Sequence, residues 1–90
     1  MRTVAIMEAV TTDVASAIRN IIGSQRENFS IQVYGTGTYT VVIEGSFDGT
    51  NFFTLASKTA SEIFSVLAVP YLRATTSGTS GASVNVWAGV

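Results

Sequence analysis

The sequence predicts an all-β chain, a single small antiparallel β-sandwich of jelly-roll-like form with about seven or eight strands. Three observations predict it. Apolar residues alternate with polar ones in several short segments, as in Phe29, Ile31 and Val33 and again in Tyr39, Val41 and Ile43. A period of two belongs to a pleated segment with one face buried. Turn signals recur at intervals of about 8–12 residues, the spacing of a sandwich or barrel. Finally, Tyr39–Ala56 holds two alternating segments around Ser46–Asn51. Asp48 tolerates the left-handed region and Gly49 has no Cβ to forbid it, so the chain can reverse there.

In order along the chain, Thr3–Val10 is apolar with β-branched residues and reads as a first strand, broken by Thr11-Thr12-Asp13. Val14–Ile22 is ambiguous. Val14, Ala17, Ile18, Ile21 and Ile22 fall at helical spacing behind Asp13 as a cap, but the segment is short and Gly23-Ser24 ends it abruptly. It reads as extended or irregular, with a short amphipathic helix as the alternative. Asn28–Gly35 is a strand, and Gly35-Thr36-Gly37-Thr38 a turn into the central hairpin. Ser57–Ser61 is a polar connection and Ile63–Val69 a further strand. Pro70 lacks a backbone donor and marks a strand start, an edge or a bulge. Tyr71–Thr76 is a strand, Thr76–Ala82 a small-residue loop, and Ser83–Ala88 the last strand, with Val84 and Val86 opposite Asn85 and Trp87.

Ninety residues make one domain, residues 1–90, with one modest core. Residues 1–28 could serve as an N-terminal arm that contributes to oligomer or lattice contacts. Hydrophobic residues are 47% of the chain and charged ones 12%, against about 25% charged in an average soluble protein. This composition is too apolar for disorder. It leaves two readings open: a monomer with a Ser/Thr-rich surface, or a surface partly buried against other subunits. Net charge is −1, and Arg2, Arg19, Arg26, Lys58 and Arg73 are scattered singly. No basic patch is available to neutralise phosphates, so no nucleic-acid partner is expected. The absence of cysteine favours folding in a reducing cytoplasm. No apolar run approaches the roughly 20 residues of a membrane span, and no membrane partner is expected. Arg2, Val4–Met7 and Ala15-Ser16-Ala17 faintly suggest a signal peptide, but Glu8 and Asp13 interrupt its apolar core.

With neither His nor Cys, the chain lacks the commonest general base, the thiolate nucleophile and the usual zinc or copper ligands. Glu44 and Asp48 are the remaining candidate pair for glycoside chemistry. Their positions, a solvent-facing strand residue and a turn former, explain them better, and no enzyme, cofactor or metal site is expected. Asp48 with Thr50 and Asn51 offers oxygen ligands for calcium, though one carboxylate is a thin set. Tyr34, Tyr39, Tyr71 and Trp87 could form an aromatic platform, or simply pack in core and edges. Arg73, between apolar neighbours, should snorkel to water or pair with a carboxylate.

Val41-Val-Ile-Glu-Gly-Ser-Phe-Asp-Gly-Thr-Asn-Phe-Phe-Thr-Leu55, a strand before Pro70, and Tyr71-Leu-Arg-Ala-Thr75 follow one another in a recognisable order. The order resembles discoidin-like (F5/8 type C) β-sandwiches and, more, a group of small tailed-phage virion proteins that carry this pattern alone. The resemblance covers roughly residues 29–88. It implies a non-enzymatic capsid decoration or cement protein, made in the host cytoplasm and carried on the capsid surface. Its implied partners are the major capsid protein and further copies of itself, a trimer being the expected homo-oligomer. Discoidin domains bind lipid or sugar through loops tipped with apolar and basic residues. Gly35–Thr38 and Thr76–Ala82 carry no such tips, so that activity is not expected here. The residues expected to make contacts are Val4, Ile6 and Met7 in the N-terminal arm, Ile21 and Ile22, and Trp87. The alternatives are a small carbohydrate-binding or adhesion module, and a tail or head–tail component.

Overall fold

The computed structural model describes residues 2–21 and 23–90. They form six strands: β1 (Thr3–Val10), β2 (Arg19–Asn20), β3 (Asn28–Ser46), β4 (Phe53–Lys58), β5 (Glu62–Leu67) and β6 (Tyr71–Gly89). The sheet runs β1-β6-β3-β4, with β2 also on β6 and β5 also on β3, and every pairing is antiparallel. Among the described residues there is no helix.

The architecture follows from β3 and β6, each 19 residues long. Straight strands of that length would reach about 60 Å, yet the longest dimension of the molecule is 37 Å. Both strands therefore bend. The bend lies at Thr36–Thr40 of β3 and Ser77–Ser83 of β6, where their pairing slips twice. Each slip places one extra residue in β6, a β-bulge, and Gly81 and Gly78 adopt φ 57° and 59° there. One bulge alone would turn every later side chain to the opposite face; a second restores the original face.

Hence Phe29, Ile31 and Val33 before the bend and Tyr39, Val41 and Ile43 after it are all buried. On β6, Leu72, Ala74 and Thr76, then Ala82, Val84, Val86 and Ala88, are buried in the same way. The sheet folds over and closes this one face on itself around a single core. Each large apolar side chain taken into it contributes roughly 1.5–3 kcal/mol relative to exposure. Layer A comprises β5, the first half of β3, the second half of β6, and β1; layer B comprises β4, the second half of β3, the first half of β6, and β2. At the fold a Cβ on Gly37 (φ 78°) would run into the Gly81 carbonyl, so the two strands can cross there only because the position is glycine.

The sequence suggests a turn at Gly35–Thr38 and a loop at Thr76–Ala82, but the chain passes through both as strand. Paired bulges bend the ladder without breaking it, so β3 and β6 each read as two strands. That is why seven or eight segments become six. Val14–Ile21 is extended. Ala15 bridges Thr75, Ser16 N donates to the Ala74 carbonyl (2.7 Å) and Thr76 N to that of Val14 (2.9 Å). The edge of β6 offers partners that the helical spacing lacks. Buried Thr76 is satisfied by the same segment: its Oγ1 donates to the Thr12 carbonyl (2.7 Å) and accepts from Val14 N (3.1 Å). Within residues 1–28, β1 and β2 both pair with β6 of the same chain.

Candidate interaction face

The strands give each layer an inner and an outer face, and the two outer faces differ. On layer A, register aligns Ala5, Trp87, Gln32 and Ile63 across all four strands. The neighbouring row is Thr3, Gly89, Ser30 and Ser65, and beyond Gln32 come Tyr34 and Asn85. None of these residues is charged. Ile63 is 71% exposed and Tyr34 60%, while Trp87 is half-buried at the centre. A shallow depression of about 280 Å³ lies there, lined by Thr3, Ser30, Gln32, Ile63, Trp87 and Gly89. These rows can be covered by another surface without stripping water from any charge of their own, the exposed Glu8 lying beyond them in the irregular second half of β1.

Asn85 braces this face. Its Oδ1 accepts from Ala9 N (3.0 Å) and its Nδ2 donates to the Tyr34 carbonyl (3.3 Å), tying β1, β6 and β3 together. Ala9 needs the support, because it holds φ 48° within the irregular second half of β1.

Layer B turns charge outward but pairs it. Arg73 Nε donates to Glu44 Oε1 at 3.1 Å, Thr75 Oγ1 donates to the same oxygen at 2.7 Å, and the guanidinium lies 4.2 Å from the Phe52 ring centroid. Burial alone would raise the Glu44 pKa. The bonds from Thr75 and Arg73 and the arginine charge outweigh it and hold the carboxyl below its ordinary value. Arg73 thus pairs with a carboxylate.

The hairpin end is braced by Asp48. Its Oδ1 accepts from Thr50 N (2.9 Å), Asn51 N (2.8 Å) and Ser46 Oγ (2.8 Å), and its Oδ2 from Asn51 Nδ2 (2.7 Å). Donors from Asn51 and Thr50 push its pKa far down. Both oxygens are engaged by the turn itself, and Glu44 is engaged by Arg73 and Thr75. Among the described residues no three His, Cys, Asp or Glu side chains cluster as metal ligands. No described helix is long and apolar enough to cross a membrane.

The residues singled out from sequence scatter. Ile6, Met7 and Ile21 are buried in the chain's own core, and Val4 is half-buried against it. Ile22 lies outside the described residues. Among the described ones, Trp87 alone reaches the outer face of layer A. Of the four aromatic residues, Tyr34 and Trp87 share that face, Tyr39 is buried, and Tyr71 packs beneath Gly49. Sequence reasoning missed Ile63, Phe47, Phe53 and Leu67. The last three line an apolar groove of about 240 Å³ with Leu55 and Val69. Adjacent Phe52 and Phe53 carried a signal, since neighbouring strand residues point to opposite faces.

No family model matches the chain, and no curated protein matches it. Among solved structures the chain is similar to the crystal structure of the PBSX exported protein XepA, a phage protein. The TM-score is 0.66 and the identity 15%, over 97% of this chain and 36% of that one. At this identity the likeness is one of fold, and the chain spans little more than a third of its neighbour. With no matching family model, the discoidin-like part of the resemblance rests on the sequence pattern of residues 41–55 and 71–75 alone, while the fold is one that a phage protein also uses.

Proposed function

We propose that the chain is a non-enzymatic structural component of a tailed-phage particle, a capsid decoration or cement protein that lays layer A on the major capsid protein. The observation that carries this reading is the pair of uncharged outward rows around Trp87, Ala5-Trp87-Gln32-Ile63 and Thr3-Gly89-Ser30-Ser65, that cross all four strands of layer A. The shared fold with a phage protein supports the phage setting. In this reading the chain is made in the host cytoplasm and ends on the capsid surface as a homo-oligomer. Binding comes from buried apolar area and shape, without chemistry. Four strands about 4.8 Å apart and about 20 Å long give a footprint near 20 by 20 Å. That is below the roughly 800 Å² per partner of a standard interface. A single copy therefore binds weakly, and repeated engagement on a lattice supplies the remainder.

Quantitative mass spectrometry of purified particles tests the reading. A copy number comparable to that of the major capsid protein, or a simple fraction of it, is expected. A handful of copies per particle would move the chain to the tail or head–tail joint, and complete absence would refute a virion role. One observation favours a second reading: Tyr34 and Trp87 share a face, as in sugar-binding platforms. A glycan screen on folded protein decides it, with binding lost in Trp87→Ala if that reading holds.

A further inference from the structure

Four strands end the layers: β1 and β5 in layer A, β2 and β4 in layer B. An unpaired strand edge exposes backbone donors and acceptors to any passing strand, and proteins blunt such edges with bulges, brevity or lysine. Three of the four are blunted. The β1 pairing slips twice and Ala9 takes a positive φ. Only two residues form β2. The β4 pairing slips once, and the strand ends in Lys58. By contrast β5 pairs with β3 over six residues without a slip and contains neither lysine nor proline. Its charge is confined to its first residue, Glu62, which Lys58 neutralises at 2.7 Å while the lysine ammonium lies 4.7 Å from the Phe64 ring centroid. The rest of β5, including Ile63, Ser65, Val66 and Leu67, is uncharged. Its outward side chains include Ile63, 71% exposed, and Leu67, 61% exposed.

The sequence of β5 also fits itself. Ile63-Phe64-Ser65-Val66-Leu67 has apolar residues symmetrically disposed about Ser65. We infer that β5 is the edge through which two copies of this chain pair, antiparallel about a two-fold axis at Ser65. In that register Ile63 of each copy lies opposite Leu67 of the other, and Phe64 opposite Val66. Glu62 meets Ala68, so no like charges are opposed. These are the cross-strand apolar pairs that stabilise sheets, and the contact is isologous and closed. The pairing makes layer A a continuous eight-stranded sheet with both Trp87 side chains on one face. It doubles the footprint that a single copy lacks. It gives a two-fold assembly in place of the three-fold one that the family resemblance implies, and it stands whether or not the chain is a virion protein.

Because the chain has no cysteine, cross-linking reads this geometry directly. Residues opposite one another in an antiparallel pair lie at Cα separations of about 4.5–5.5 Å, within disulfide range. The experiment is sedimentation velocity of the purified chain up to about 100 μM, with Ser65→Cys treated with oxidised glutathione. Ser57→Cys on the β4 edge is the control. The expected result is a reversible dimer, captured covalently by Ser65→Cys and not by Ser57→Cys. Ile63→Lys with Leu67→Lys, two exposed positions, should weaken association at least tenfold while leaving the melting temperature within a few degrees. A wild-type chain that stays monomeric throughout overturns the inference. So does a dimer that survives the double lysine variant, or cross-linking of Ser65→Cys no better than that of Ser57→Cys.

Discussion

The outer faces of layers A and B come from the same two strands and the same alternation, yet they are opposite in character. On layer B the outward charges of β3 and β6 meet each other: Glu44 is held by Arg73 and Thr75, and the arginine is capped by Phe52. Those groups are satisfied within the chain and have little to offer a partner. On layer A, Trp87, Ile63 and Tyr34 stand among serine, threonine and glutamine without a charge. The difference teaches that outward-pointing residues are not interchangeable. One face completes its interactions internally, whereas the other leaves apolar surface for something else to cover.

The largest expected effect comes from removing the bend that makes two layers at all. Gly37→Ala drives a methyl into the Gly81 carbonyl at a positive φ, and should cost about 4 kcal/mol. Gly78→Ala incurs only the backbone penalty, since a Cβ there meets nothing within 4 Å, and should cost about 1 kcal/mol. Thermal unfolding followed by circular dichroism separates the two. Equal losses would mean that contact with Gly81 is not what requires glycine.

Next in size is a charge moved between faces. Gln32→Glu, beside Trp87, should lower particle occupancy at least tenfold, whereas Thr40→Glu on layer B should leave it unchanged. Binding isotherms on particles lacking the chain provide the measurement. Arg73→Ala should cost about 1–2 kcal/mol by leaving half-buried Glu44 without its partner, again without affecting occupancy. Adding Glu44→Gln to it should recover part of that loss. A double variant as unstable as the two single losses combined would contradict the pairing.

The smallest effect is acid sensitivity. Glu44, Asp13 and Asp48 all titrate below their ordinary values in the fold. Asp13 is lowered first by the Thr79 backbone N–H, at 3.0 Å, then by its hydroxyl. Groups with depressed pKa values bind fewer protons folded than unfolded. Their stabilisation is present above the unfolded values, about 4, and is lost as the pH falls through the folded ones. Denaturant midpoints should therefore decline below about pH 4, and less steeply in Glu44→Gln.

Much of the fold is legible in the sequence, for a physical reason. Period-two burial needs only one face to be dry, and Phe29–Val33, Val41–Ile43 and Val84–Val86 declare it. The bend is not legible, because Gly-Thr-Gly and Ser-Gly-Thr-Ser-Gly serve equally as a turn, a loop or a pair of bulges. Only pairing between residues about 45 apart, Thr36 with Ser83, decides among them. Ile6, Met7 and Ile21 looked available for contacts because their partners in the core are equally remote in sequence. Trp87 was legible as outward from its opposition to Val84 and Val86. Ile63 and Leu67 were not, because a strand of continuous apolar character hides which side is covered.

The most direct test of the central claim, that layer A is the docking face, is hydroxyl-radical footprinting of the chain free and bound to particles. Trp87 and Tyr34 should lose most of their reactivity on binding, while Phe52 and Phe47 keep theirs. Protection of Phe52 with Trp87 still fully reactive would contradict the account and give the interface to layer B.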